Sequence, residues 1–252
     1  IVFFVCKTKI RDSQAFFKLN FRMLVISPKI IIFNSFFLYF YSMKVISTNL
    51  AKPTTIIWNG KEEKTGLFKH PTKEPLFLGI KDVHKDTVVD RKHHGGINKA
   101  CYLFSADYYM YWKSIYPDLK WDWGMFGENL TIEGLNESKL RIGDIYKLGT
   151  ASIQISEPRE PCYKLGVRFG NQAILKQFIK HEHPGTYIKI LKEGTVKIGD
   201  EFELIEQSNN VLTVQQFYRF LFAKQKNIEV IKLALTNDCL PDYKKEQLKK
   251  YL

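Results

Sequence analysis

The 252-residue chain is sparing with cysteine: Cys6, Cys101, Cys162 and Cys239 stand far apart and form no CxxC pair. That spacing argues against a zinc ribbon or a disulfide-stapled scaffold and makes a reducing cytoplasm the expected compartment. No GxGxxG fingerprint occurs, so a dinucleotide-binding unit is not expected. A bilayer-spanning run of roughly 18 to 20 apolar residues is also missing. The nearest approach, Ile30 to Tyr41, is interrupted by Asn34-Ser35 and preceded by Pro28-Lys29. Internal repeats and low-complexity linkers are lacking too.

Acidic side chains are scarce at the start of the chain. No Glu precedes position 60, and residues 1–42 hold six basic groups against Asp12 alone, together with nine of the nineteen Phe. The composition breaks at Met43, so residues 1–42 are expected to be a leader foreign to the rest, translated upstream sequence being preferred over a membrane anchor. Without them the formal charge falls from +12 to +7. Such a balance suits an enzyme with an anionic ligand and is weak evidence for nucleic acid.

From Met43 onward many short strands are separated by turn signals, which predicts a β-rich domain over residues 43–208. Candidate strands are Lys44 to Asn49, Thr54 to Trp58, Lys61 to Leu67, Leu76 to Leu78, Asn129 to Ile132, Ile145 to Leu148, Ala151 to Ile155 and Glu201 to Ile205. Asn59-Gly60 predicts a hairpin turn. Two helices are expected inside this domain, one capped by Ser105 and one following Asn171. Over residues 209–252 the period turns helical: Thr213 and Gln216 make a capping box, Asn227 opens a second helix and Pro241 a third. Helices this short need to pack on each other and on the β domain.

Three segments carry candidate chemistry. In Glu157-Pro158-Arg159-Glu160-Pro161-Cys162-Tyr163-Lys164-Leu165-Gly166, two prolines are expected to keep the loop out of strand and helix and to present Cys162 near Arg159 and Lys164. Nearby cations favour thiolate, the form that binds a soft metal or attacks an electrophile; a buried structural cysteine is the competing reading. In Asp90-Arg91-Lys92-His93-His94-Gly95-Gly96-Ile97-Asn98-Lys99-Ala100, paired glycines let backbone approach a ligand while His94 and Lys99 supply donors, or the segment is a solvated turn. Adjacent histidines do not make a zinc motif. In Gly127-Glu128-Asn129-Leu130, the polar pair either bonds a heterocyclic ligand or satisfies the turn.

These segments, with Phe126 before the third and Arg141-Ile142-Gly143-Asp144 after it, resemble in order and approximate spacing the MOSC domain, named for the C-terminal domain of molybdenum-cofactor sulfurases. The resemblance runs from Met43 to the C-terminus and is nearest to the stand-alone YiiM-like branch, whose C-terminal three-helix appendage is similar to residues 211–252. It implies a mainly β fold with peripheral helices, a β-barrel-like domain followed by a small three-helix domain. It further implies molybdenum cofactor, with Cys162 as metal ligand and catalytic residue. Arg159 and Lys164 are then expected to offset cofactor charge, with His94, Gly95, Gly96, Lys99 and Asn129 as further contacts. Cys101 departs from the family pattern, in which another small apolar residue follows Lys-Ala.

Related enzymes reduce N-hydroxylated compounds, a detoxifying reaction. The expectation is therefore a cytoplasmic oxidoreductase acting on N-hydroxylated small molecules such as hydroxylamino base analogues, served by an external reductase or flavin electron donor. Neither nucleic acid nor membrane is an expected partner. A sulfur or cofactor carrier without turnover of its own is the alternative. A nucleic-acid module using Tyr108, Tyr109, Tyr111 and Trp112 ranks lower, because those rings fall all around a helix.

Overall fold

Alternating apolar and polar residues start a strand at Lys44, and in the computed structural model, which describes residues 42–252 apart from the side chains of Lys92 and His93, β1 spans Lys44–Ala51. All but the last residue of the expected leader lies outside the described residues. β2 (Thr54–Trp58) and β3 (Lys61–Thr65) form the predicted hairpin, with Asn59 and Gly60 at φ of 50° and 74°. β4 (Lys69–Thr72) and β5 (Leu76–Leu78) follow, then a single turn of helix, α1 (Arg91–His94).

β6 (Cys101–Ser105) leads through α2 (Tyr109–Ile115) to β7 (Leu130–Glu133). Ser105 does cap the intervening turn, accepting from the Asp107 amide. β8 (Ile145–Leu148) and β9 (Ala151–Pro158) precede two helices, α3 (Tyr163–Arg168) and α4 (Ala173–His181). β10 (Thr186–Lys192), β11 (Gly194–Val196) and β12 (Phe202–Glu206) complete the strands.

The main sheet has eight strands in the order β12-β8-β9-β10-β6-β7-β1-β4, antiparallel throughout except between β6 and β7. It curls back on itself. The Val45 amide donates to the Asp200 carbonyl at 2.9 Å and the Phe202 amide to the Met43 carbonyl at 2.9 Å, so the start of β1 meets the start of β12. This is the expected mainly β architecture with helices at its periphery, although the sheet does not close into a complete barrel among the described residues.

β6 is buried along its whole length, and its two faces feed different clusters. Cys101 and Leu103 join the aliphatic interior with Leu130, Ile153, Ile155 and Ile188. Tyr102 and Phe104 point the other way, into an aromatic cluster with Trp112, Phe126 and Phe178. The period of two that separates these side chains is the one that places Tyr102, and not Cys101, on the side of the site.

The last three helices are α5 (Val214–Phe222), α6 (Ile228–Leu235) and α7 (Asp242–Lys249). The Thr213–Gln216 capping box forms in both directions, and Asn227 caps α6 by accepting from the Glu229 amide. Phe217, Ile231, Ala234 and Leu248 bury themselves in the same aliphatic cluster as Leu140 and Ile142. Backbone bonds join the regions as well: Val214 donates to Leu140 at 2.9 Å and Gln215 to Glu137 at 3.1 Å. These short helices draw their stability from the sheet they cover.

Candidate functional site

β9 extends to Pro158, which pairs with Thr186 of β10, and α3 begins at Tyr163. The proline-bounded loop is thus shorter than the sequence suggests, since strand runs up to it and helix starts directly after Cys162. Pro158 ends the strand, where a missing amide is tolerated, and Pro161 precedes Cys162, whose extended backbone (φ −124°, ψ 166°) makes it the N-cap of α3. The Cys162 side chain makes no capping bond and is half-buried.

A cleft opens at this loop in two adjoining compartments that share Asp90, His94, Lys99, Cys162, Lys164 and Tyr187. The inner recess, about 80 Å³, is also lined by Tyr102, Asn129 and Arg159. The outer cleft, about 890 Å³, adds Gly95 and Gly96 on one side and Tyr243, Lys244 and Gln247 of α7 on the other. All eight residues singled out from the sequence therefore line one composite cleft. Gly96 sits at φ 92°, which glycine adopts without strain, and a Cβ there would meet no atom within 4 Å, leaving open backbone toward the cleft.

Arg159 is 2% exposed. Its guanidinium lies 5.3 Å from the Tyr102 ring and 5.5 Å from the Phe178 ring, and it forms no ion pair with any described residue. Its Nη1 is buried without a hydrogen-bond partner. Desolvation opposes its charged form and is outweighed by Tyr102, Tyr187 and Cys162, which favour it; the unpartnered Nη1 still costs about 1–3 kcal/mol, more for a charged group, until an acceptor arrives. The recess also carries Asp90 and Asp86, the latter bonded to Lys69 and Asn129, and the open Nη1 of Arg159 is the donor it offers to an anion.

His94 is held below its ordinary range, at about 4, first by burial and then by the charges of Arg159 and Lys99. At neutral pH it is a neutral imidazole, able to donate at one nitrogen and accept at the other. Lys99 is pulled down chiefly by burial, against the opposing charge of Glu157 at 3.9 Å. Glu157 is pushed up chiefly by burial, against Lys99, Tyr243 and Lys244.

The third segment is spent on the fold. Glu128 is fully buried and accepts from the Gly124 amide (2.9 Å), the Phe126 amide (3.1 Å), Thr131 (2.9 Å) and the Tyr109 hydroxyl. Asn129 accepts from the Tyr102 amide at 3.2 Å and donates to Asp86 at 2.9 Å. Its amide borders the recess while both ends are bonded to protein, so its first job is to fix β6 and the Asp86 segment.

Cys101 lies on the opposite face of β6 and does not line the cleft; burial pushes its thiol up. Cys239 stands elsewhere, with its sulfur 3.3 Å from the Gln154 amide nitrogen. Among the described residues no group of three or more His, Cys, Asp or Glu is arranged to hold a metal ion. A metal at Cys162 therefore needs donors beyond those the described residues supply.

Sequence reading missed Tyr187, Tyr243, Lys244 and Gln247. Tyr187 lies on β10, a strand not predicted, and the others lie on α7, 84 residues beyond the motif that Lys244 reaches at Glu160.

Residues 90–203 match the family model described as the MOSC domain. YflK of Bacillus subtilis, described as an uncharacterised protein, is 33% identical over 198 residues, covering 79% of this chain and 89% of that one. A protein of Gibberella moniliformis named Reductase is 31% identical over 198 residues, 75% of this chain and 35% of its own length. The crystal structure of YiiM from Geobacillus stearothermophilus superposes with a TM-score of 0.70 at 27% identity, over 82% of this chain and 98% of that one.

Proposed function

Because the chain belongs to the MOSC domain family, we propose that its cleft holds molybdenum cofactor and reduces N-hydroxylated small molecules, using electrons from an external reductase or flavin protein. The observation that carries this reading is Arg159: a buried guanidinium, held against Tyr102, Phe178 and Tyr187, whose Nη1 is left without a hydrogen-bond partner on the same recess as Cys162. A pterin bearing phosphate supplies the missing anion, and the thiolate of Cys162 is the soft protein donor that molybdenum takes. Among the described residues no complete protein ligand set surrounds Cys162, which agrees with a metal that brings its other donors along.

When bound, the cofactor supplies the two-electron change that removes the hydroxyl oxygen from nitrogen. The chain's own residues bind and orient. Arg159 anchors the anionic part from inside the recess, and Lys99 and Lys164 add positive charge at the shared boundary. Neutral His94 presents a donor and an acceptor there without adding charge. The outer cleft, bounded by Gly95-Gly96 and α7, admits the substrate beside Cys162. The name of the fungal relative supports a reductive chemistry, although this chain spans 35% of that protein. Among the described residues no helix is long and apolar enough to cross a membrane, and the cytoplasmic placement we propose is supported by the unpaired thiols of Cys101, Cys162 and Cys239.

The test is metal and pterin analysis of the full chain purified from a host that makes molybdenum cofactor, followed by turnover of phenylhydroxylamine with reduced methyl viologen. Near-stoichiometric molybdenum and pterin with formation of aniline is expected. Pterin without turnover would favour a carrier, and absence of both would sink the reading.

A further inference from the structure

One turn of α7 reaches the cleft with more charge than packing requires. The Lys244 side chain is 5% exposed, bonds Glu160 and lies 3.8 Å from Glu157 Oε2. The other oxygen of Glu157 accepts the Tyr243 hydroxyl and stands 3.9 Å from Lys99 Nζ. Lys99 Nζ in turn lies 5.6 Å from the Tyr187 ring centroid and 5.4 Å from that of Tyr243. One buried carboxylate is therefore shared by two lysines, one on the cleft segment and one on the C-terminal helix.

Burying an ammonium costs desolvation that packing does not recover and that the two nearby carboxylates offset in part; removing either partner would leave the other charge buried and uncompensated. Glu157 is 1% exposed. Left to Lys99 alone, it would cancel that lysine's charge toward anything bound in the cleft.

We propose that Tyr243 and Lys244 are positioning residues of the cleft: by carrying part of the demand of Glu157, they keep Lys99 effective toward an oxyanion and so set the anion affinity of the site. The inference rests on the reading of the cleft as the seat of an anionic cofactor. It makes α7 a working wall of the site and not only a covering helix. Burial already pushes Glu157 up and Lys99 down, and the charges of Lys99 and Lys244 both oppose the shift of Glu157.

The test compares the full-length wild type with Lys244→Met, Lys244→Arg and the double variant Lys244→Met/Glu157→Gln. Two readouts are used: pterin per purified chain, and calorimetric binding of inorganic phosphate to the cofactor-free chain at fixed ionic strength. Lys244→Met is expected to weaken phosphate binding about fivefold and to lower pterin content, with Lys244→Arg within about twofold of wild type. The double variant is expected to recover, since no Glu157 charge remains to cancel Lys99. A mere structural clamp predicts the reverse, because the double variant lacks both of its halves. Wild-type phosphate affinity in Lys244→Met, or no recovery in a stably folded double variant, overturns the proposal. Should the double variant not fold, Tyr243→Phe decides: about twofold to fourfold weaker phosphate supports the inference and unchanged affinity overturns it. A wild-type chain without pterin whose variants still follow this phosphate pattern would refute the cofactor reading and leave the role of α7 standing.

Discussion

The two sides of the cleft are made in different ways. On one side, Glu157, Arg159, Cys162 and Lys164 deliver a carboxylate, a guanidinium, a thiol and an ammonium from one short stretch at the end of β9 and the start of α3. On the other, Tyr243, Lys244 and Gln247 come from α7, which reaches the cleft only because α5 and α6 pack on the sheet first. The first side is local chemistry written in sequence. The second is a product of tertiary packing, and its residues carry no motif.

The sharpest way to break this comparison is to remove the thiol. Cys162→Ser is expected to abolish turnover of phenylhydroxylamine, while Cys101→Ser and Cys239→Ser retain it, because only Cys162 lines the cleft. Loss of activity in Cys101→Ser with an unchanged fold would reverse the assignment.

Next in size is the packing that seats α7. Phe217 is fully buried between α5 and the sheet, so Phe217→Ala should lower stability by about 3–5 kcal/mol in urea unfolding. The outer wall should loosen with it, seen as faster proteolysis within residues 211–252. A loss below about 1 kcal/mol would mean that the helices dock by other contacts.

Arg159→Ala comes third. Losing a charge-assisted bond costs about 1.5–3 kcal/mol, roughly ten- to a hundredfold in cofactor retention, read as pterin per chain after dialysis. Lys249→Ala, on the exposed end of α7, should change it by less than about twofold. Equal retention in the two variants would make Arg159 a structural cation.

The smallest expected effect is on pH. His94 and His181 are both lowered from 6.5 to about 4, so between those values the unfolded chain binds protons that the folded chain refuses. Stability should be complete above pH 6.5 and decline as pH falls toward about 4. His94→Gln should flatten part of that acid limb in a thermal-melt series; an unchanged slope would place His94 in a more solvated setting than the cleft provides.

Much of the fold was legible where local signals agree with tertiary demand. Asn59-Gly60, the Thr213–Gln216 box and Asn227 all act as their residue types predict, since each satisfies backbone groups within a few residues. β6 escaped because both of its faces are buried, so Cys101 to Ser105 show no alternation to detect. β4 carries Pro71, a residue that argues against strand, and is tolerated there because β4 is an edge of the sheet. With β10 also unread, Tyr187 had no element to place it in the site. The two readings of Glu128-Asn129 could not be separated in sequence because a turn rich in polar groups reads the same whether it serves a ligand or its own backbone; the structure gives Glu128 to the fold and leaves Asn129 bonded to protein at the edge of the recess. The boundary of the site at α7 needed the packed structure.

The central claim is that Cys162 supplies a thiolate to molybdenum within a cofactor held by Arg159 and its neighbouring cations. X-ray absorption at the molybdenum edge, on wild type and Cys162→Ser loaded in the same host, tests it most directly. The account predicts one sulfur scatterer fewer in Cys162→Ser while pterin content stays close to wild type. An unchanged sulfur count with pterin retained would contradict it.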